Sequence, residues 1–508
     1  MVLLFTHQNS QRVHYIFNEV FGARLGVSFQ ITSDWSVFKE SNAQTKILYT
    51  DIQPLKEDIL DFIWVYNSGL LSENFIRESS NPISCAVLHF DSQSGYEEAF
   101  SLPFTQFEAL FLSPTSEINS DLEANKAVFF KKSVPFDAFA EIFWCLSRYE
   151  EYQWEIAQHD SNETFDSHKS TSNFQSNISV TNSPDAHGRY PAKLSLLFQQ
   201  GWLDIPIADK LIWLIGYCIN KKPLDQFEII PTADIDIALR FGGRSLIVKT
   251  GSLIKDAILR PVLILERLKT ITRRVDPYQM DVATLPLLTL SKNYKVFILN
   301  HRKRSERNKQ VNPETLKIEL NRIKEVYKTP TENWGIHPSW QDESDELHAQ
   351  KEWEWEKTEL GNNLGIAVSN SRLHYIHLRL PKSYQILEQL GIADDWSMGY
   401  PEATGFRAGT SKPYLWYDLT LDKSTSLTVH PFCIMDVSCK NYLQLSPFLS
   451  IERGITMKQE LQIIEGSFCF IFHNESVSNT FPWAGWKNTI LSWAESTNTP
   501  TNQPSDKS

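Results

Sequence analysis

The stretch "FEIIPTADID", residues 227–236, ends an apolar run on two aspartates, Asp234 and Asp236. In a strand, residues two apart point to the same face, so these carboxylates would stand side by side. Such a pair repels unless a cation, a shared proton or water lies between its members. Six further apolar runs end on residues able to carry protons, charge or a metal. "KVFIL" leads to Asn300 and His301, "NWGIHPSW" carries His337, and "SRLHYIHLRL" carries His374 and His377. "ATGFRAG" carries Arg407, "SLTVHPF" carries His430, and "SFCFIFHNES" carries His473. One histidine after a strand is ordinary. Seven consecutive runs of this form imply a shared site.

Such a site requires elements that bring distant residues to one edge. Helix-like segments, notably "DELHAQKEWEWEKTELGNNL" and "PKSYQILEQLG", lie between the runs. Alternating β and α units predict a parallel sheet or barrel, and catalytic residues of such barrels gather at the carboxyl ends of several strands. The earlier part of the chain reads differently. Strand-like runs ("VLLFT", "KILYT", "CAVLHF", "EALFL") mix there with helical patterns. "QRVHYIFNEVFGARLG" places Val13, Ile16, Phe17, Val20 and Phe21 on one helical face and stops at Gly26. "PFDAFAEIFWCLSRYEEY" predicts a second amphipathic helix with Pro135 near its start. The fold class expected is therefore α/β. A smaller α/β or α+β domain spans 1–222, a barrel-sized domain spans 225–494, and 495–508 is a disordered tail. The Ser-, Asn- and Thr-rich stretch 158–188 reads as a long loop.

Composition narrows the function classes. A net charge of −12 argues against a nucleic-acid partner, because phosphate backbones demand basic patches. The densest basic run, His301 to Lys309, has no interleaved aromatics and reads as a solvated loop or helix start. The 6 cysteines are scattered without CxxC spacing and read as reduced thiols. The first residues look like a strand rather than a signal peptide. The longest apolar stretch, "KLIWLIGYCI", falls short of the ~20 residues a membrane helix needs. A cytoplasmic protein without a membrane span is expected.

Several segments together resemble a known family. They are "VPFDAFAEIFWCLSRYEEY", "DAHGRYPAKLS", "TADID", "GIHPSW", "SRLHYIHLR", "GFRAGTSKPYLWYDL" and "FHNES". They are similar to the polysaccharide deacetylases of carbohydrate esterase family 4. More narrowly, they resemble a divergent Bacteroidetes branch in which an uncharacterised N-terminal domain precedes an irregular deacetylase-type (β/α) barrel. The resemblance covers nearly the whole chain. In that family the first motif is Thr-Phe-Asp-Asp-Gly, its first Asp a general base and its second a metal ligand. "TADID" matches with one residue inserted, which implies Asp234 as base and Asp236 as ligand and leaves the reverse assignment open. The second motif has two metal histidines four residues apart, followed by proline. Here only His337 matches, since Asn333 holds the earlier position, and His374 is the first choice for the missing imidazole, His377 the second. The third motif, an arginine, implies that Arg407 orients Asp234, with a plain structural ion pair as the rival reading. "GIADDWSMGY" resembles the fourth motif and offers Asp395 and Trp396 as a sugar-binding edge, the rival for Trp396 being a place in the core. The fifth motif implies His473 as general acid. His430 is left without a role.

The resemblance thus implies a metal-dependent hydrolase that deacetylates an N- or O-acetylated carbohydrate, with a divalent metal as cofactor. The donor types suit Zn²⁺. The alternative is a non-catalytic carbohydrate-binding or scaffold protein on the same barrel, favoured by the absent histidine at Asn333. A hydrolase of another amide or ester is the third reading.

Overall fold

The computed structural model describes the chain except residues 55–60, 73–82, 84, 92–102, 105, 113–127, 131, 164–182, 244–245, 281–290, 292, 303–304, 328–332, 342–345 and 496–508. Two compact units emerge. The first comprises Met1–Gln226, Arg379–Pro381 and Phe406–Ser426. The second comprises Phe227–Leu378, Lys382–Gly405 and Leu427–Ser508. Neither unit is one consecutive stretch.

The first unit is mixed α/β. Its strands are β1 (Val2–Phe5), β2 (Phe29–Thr32), β3 (Thr45–Thr50), β4 (Ile63–Tyr66), β5 (Ala86–Asp91), β6 (Gln106–Ala109), β7 (Val128–Phe130) and β8 (Ser133–Val134). They form one sheet in the order β2-β1-β3-β4-β8-β7-β5-β6. The pairings β1–β2, β1–β3, β3–β4 and β4–β8 are parallel, while β5–β6 and β7–β8 are antiparallel.

The first predicted helix begins at Gln11, capped by the Ser10 side chain accepting from the Val13 amide. It is α-helical only to Phe17 and continues as a π-helix over Asn18–Arg24. The wider turns keep Glu19 and Arg24 inside along with Val20 and Phe21. The second is split rather than continuous. Asp137 caps Ala138–Ser147, Arg148 adopts φ 56°, and a new helix runs Tyr149–Glu163. Every residue of Ala138–Ser147 is buried, so that segment is a core helix and not an amphipathic one. The helix to Glu163 also takes the start of the predicted loop 158–188, of which 164–182 lies outside the described residues. The predicted tail falls outside them from 496 onward. The returning segment Phe406–Ser426 contributes strand β14 (Tyr414–Asp418).

The second unit alternates strands with helices. Its strands are β9 (Glu228–Ile235), β10 (Lys295–Ile298), β11 (Trp334–Ile336), β12 (Asn370–Ser371), β13 (Asp394–Met398), β15 (Lys423–Pro431, of which 427–431 belong to this unit), β16 (Ile434–Met435) and β17 (Ser467–His473). The pairings that run from β13 through β12, β11, β10, β9 and β17 to β16 are all parallel. Parallel neighbours need crossovers, and helices Pro313–Tyr327, Glu346–Leu364, Lys382–Gln389 and Pro447–Ile463 supply them. Among the described residues the strands from β13 to β16 form a continuous, parallel run, so the architecture is α/β built on a parallel sheet.

The register of β9 against β17 decides what faces what. Ile230 lies opposite Cys469, Thr232 opposite Ile471, and Asp234 opposite His473. Because faces alternate along a strand, these three pairs share one face. Ile230, Cys469 and Ile471 pack there with Phe297, Ile376, Trp396, Phe432 and Met435 in a buried cluster. The apolar layers stop where the chemistry-bearing layer, Asp234 with His473, begins.

Candidate metal and proton-transfer site

The backbone ladder continues past the strand ends and holds the site residues in place. The His337 amide donates to the Ile298 carbonyl at 2.9 Å, the Arg372 amide to Ile336 at 3.1 Å, and the His374 amide to Pro338 at 3.1 Å. Gly335, two residues before His337, permits this close approach: a Cβ there would lie 2.6 Å from the Asn370 carbonyl oxygen. After β12 the chain turns sharply through Tyr375 (φ 60°) and Ile376 (φ 52°). Two successive non-glycine residues in the left-handed region are costly and persist only when the surroundings enforce them. This turn presents the His374 ring T-shaped to that of His337, with centroids 4.8 Å apart.

Three side chains converge. Asp236, His337 and His374 each offer a donor atom within 4.8 Å of the others. His337 Nε2 lies 3.3 Å from Asp236 Oδ1, and His374 Nδ1 lies 3.5 Å from the same oxygen. His337 Nδ1 is 2.5 Å from the Arg372 carbonyl. A carbonyl only accepts, so Nδ1 carries the proton and the Nε2 lone pair faces Asp236. Asp236 Oδ1 and His374 Nδ1 are both buried without a hydrogen-bond partner. Buried polar atoms of this kind are costly when left unmet. One carboxylate and two imidazoles whose lone pairs meet at a point fit a divalent cation such as Zn²⁺ and leave further positions open.

The electrostatics agree with ligand character. Burial pushes the His374 imidazole down to about 3, with neighbouring His337 adding to the effect, so its ring is neutral near pH 7. Burial alone would raise the Asp236 carboxyl. Hydrogen bonding from His337 and positive charge at the His374, His473 and His337 imidazoles outweigh it when those rings are protonated and hold it well below the usual carboxylate range. A bound cation would take over that role when the rings are neutral. His301, buried after β10, contributes to the lowering at His374.

Asp234 has a different environment. Its Oδ1 accepts from Arg372 Nη1 at 3.1 Å, and its Oδ2 lies 3.9 Å from His337 Nε2. Arg372 is fully buried, donates also to Thr232 Oγ1 at 2.7 Å and to the Trp396 carbonyl at 3.0 Å, and lies over the Phe297 ring. The two carboxylates therefore coexist because an arginine faces one and imidazoles face the other. His473 completes the group. Its Nε2 is 3.8 Å from Asp236 Oδ2, while its Nδ1 and backbone amide each lie 2.8 Å from Asp436.

Arg407 is not in this group. It lies in the first unit, where its guanidinium makes paired bonds of 2.8 and 2.6 Å to buried Glu151. The expectation that it orients Asp234 is corrected: Arg372 holds that position. Trp396 is likewise a core residue, buried, stacked on His430 at 3.9 Å and donating to Asn370 Oδ1. Asp395 is buried and accepts from Ser371 and Ser397, so neither forms an exposed sugar-binding edge. His430 bonds Asp394 at 2.7 Å. His377 packs beside Trp340, with ring centroids 5.6 Å apart. Arg372 and Asp436 carry no strand-run signal in the sequence: Arg372 follows the two-residue polar strand β12 and Asp436 the two-residue strand β16.

Comparison with known proteins adds little to this geometry. A family described as "Family of unknown function (DUF7033)" matches residues 2–179. Curated proteins give no match. Among solved structures, the chain is similar to a protein provisionally named a polysaccharide deacetylase from Mycobacterium smegmatis, at 14% identity and TM-score 0.32, covering 53% of this chain and 82% of that one. It is also similar to 4-alpha-glucanotransferase from Thermococcus litoralis, at 12% identity and TM-score 0.27, covering 53% of this chain and 36% of that one. Scores this low leave the site's own chemistry to decide its function.

Proposed function

We propose that Asp236, His337 and His374 hold a divalent cation, and that the chain is a metal-dependent hydrolase acting on an N- or O-acetylated carbohydrate with a deacetylase-type barrel. The converging donor set, with two buried and unpartnered ligand atoms, carries this reading. The carbohydrate part rests on the motif resemblance of "TADID", "GIHPSW" and "FHNES".

A bound cation would supply carbonyl polarisation and activation of water. The protein's own groups divide the proton transfers. Asp234, clamped at Oδ1 by Arg372, keeps Oδ2 towards the donor cluster and is the base that takes a proton from the attacking water. His473, held at Nδ1 by Asp436, points Nε2 towards the same cluster and is the acid that protonates the leaving amine or alkoxide. The buried apolar layers lie beneath the site on the same face of the sheet.

The test is bound-metal analysis of the purified protein, combined with acetate release from a panel of N- and O-acetylated sugars with and without chelator. Chelator-sensitive acetate release supports the reading. Stoichiometric metal with no acetate from any sugar shifts it to another amide or ester. Failure to bind metal after reconstitution removes the hydrolase reading and leaves carbohydrate binding.

A further inference from the structure

The segment between β9 and β10 carries a helical hairpin, Leu246–Leu259 followed by Val262–Arg273. Isolated apolar side chains on a surface are normal, but a concentration of them marks an interaction site. Leu253, Ile254, Ile258, Leu259, Val262, Leu265, Leu268, Ile271 and Val275 are all exposed, with Ile258 at 74% and Ile271 at 73%. Positions 254 and 258 on the first helix, and 262, 265 and 268 on the second, recur at helical spacing and make apolar stripes.

The charge of the hairpin is opposite to that of the whole protein. Residues 246–275 contain seven basic side chains against two acidic ones, in a chain of net charge −12. Both acidic groups are neutralised by arginines: Asp256 by Arg267 at 2.6 Å and Glu266 by Arg240 at 3.0 Å. Lys255, Arg260, Lys269 and Arg274 stand exposed among the apolar side chains. Exposed apolar stripes flanked by lysine and arginine are the pattern of helices that lie in a membrane interface, their cations on anionic headgroups. At 14 and 12 residues these helices extend about 21 and 18 Å, too short to cross a hydrocarbon core of ~30 Å. They can lie on a bilayer and cannot span it.

The root of the hairpin is fixed beside the site. Asp276, buried where the second helix returns, accepts from the amides of Arg240, Phe241, Gly242 and Tyr278. Asn474, next to His473, donates to the carbonyls of Ile237, next to Asp236, and of Tyr278. The hairpin thus leaves the sheet at the carboxyl edge that carries Asp236 and His473.

We propose that this hairpin docks the protein peripherally on a bilayer surface rich in anionic headgroups, with the site's edge turned towards that surface. The inference stands independently of the hydrolase reading. It is tested by floating the purified full-length protein with vesicles of neutral phosphatidylcholine, alone or with about 30 mol% phosphatidylglycerol. Two triple variants accompany it: Ile258→Glu/Leu265→Glu/Ile271→Glu, and Lys255→Glu/Arg260→Glu/Lys269→Glu. All six positions are exposed, so unchanged circular dichroism and thermal midpoint are expected for both. Wild type should partition onto anionic vesicles, less at high salt, and each variant should partition about tenfold less or weaker still. Partition that is equal on neutral and anionic vesicles, or absent, overturns the proposal. So does a wild-type dimer that the apolar-to-Glu variant dissociates while neither protein floats, which would make the hairpin a contact between copies of this chain.

Discussion

The imidazole of His473 and the carboxylate of Asp436 form a two-point clasp: Oδ1 lies 2.8 Å from Nδ1, and Oδ2 accepts the His473 backbone amide at 2.8 Å. Burial alone would lower the His473 pKa, but the carboxylates of Asp436, Asp236 and Asp234 outweigh it and lift it to about 10 in metal-free protein. The folded value is raised above the unfolded one of ~6.5, so the charged ring stabilises the fold fully below that pH. The contribution is lost as pH rises through about 10. In chelated protein, the stability gap between wild type and Asp436→Asn should therefore narrow from pH 6 to pH 10. Denaturant unfolding at the two pH values measures it, and a constant gap counts against the clasp.

Metal content should separate the two histidines of "SRLHYIHL". His374→Ala removes a converging donor, and affinity should fall by more than the roughly 10- to 100-fold typical of supporting residues. His377→Ala, whose ring sits beside Trp340, should leave metal content unchanged. Equal stoichiometry in wild type and His374→Ala rejects His374 as a ligand.

The aspartates should differ in kind. Asp234→Asn keeps the shape of a residue outside the donor cluster, so metal should be retained while turnover drops by ~10² to 10⁴. Asp236→Asn removes the charged donor, so metal affinity falls first and activity with it. Paired measurements of metal content and acetate release check both. Loss of metal in Asp234→Asn with retention in Asp236→Asn would reverse the roles.

The two arginines offer the sharpest contrast. Arg407→Met leaves Glu151 short of a buried partner and should destabilise the protein by about 3–5 kcal/mol, with metal stoichiometry of the folded fraction intact. Arg372→Met uncovers Asp234, so it should lower turnover in protein that still folds at reduced temperature. The conservative Arg372→Lys should restore part of it. If Arg407→Met abolishes metal binding in folded protein, Arg407 belongs to the site after all.

Much of the site was legible because strand periodicity and the carboxyl-edge rule need only local sequence. Asp234, Asp236, His337 and His473 each end or follow an apolar strand run, and the structure gathers them with His374, which comes after the short polar strand β12. Arginine assignment was not legible in this way. The partner of Arg407 is Glu151, 256 residues earlier, and no local pattern links them. Asp436 escaped notice because β16 has only 2 residues, too few to display a period. The break at Arg148 was hidden for a related reason. Its left-handed backbone goes with buried ion pairs to Glu150 and Glu151, while the apolar spacing around it still reads as one helix.

The path of residues 406–426 bears on how such a chain can be inherited. This segment returns to the first unit, where Arg407 meets Glu151, Thr410 and Ser411 meet Asp209, and Lys412 meets the Gln226 carbonyl. A gene cut once near codon 226 would separate these side chains from their buried partners. Neither unit is therefore a cassette that one recombination event could move to another protein.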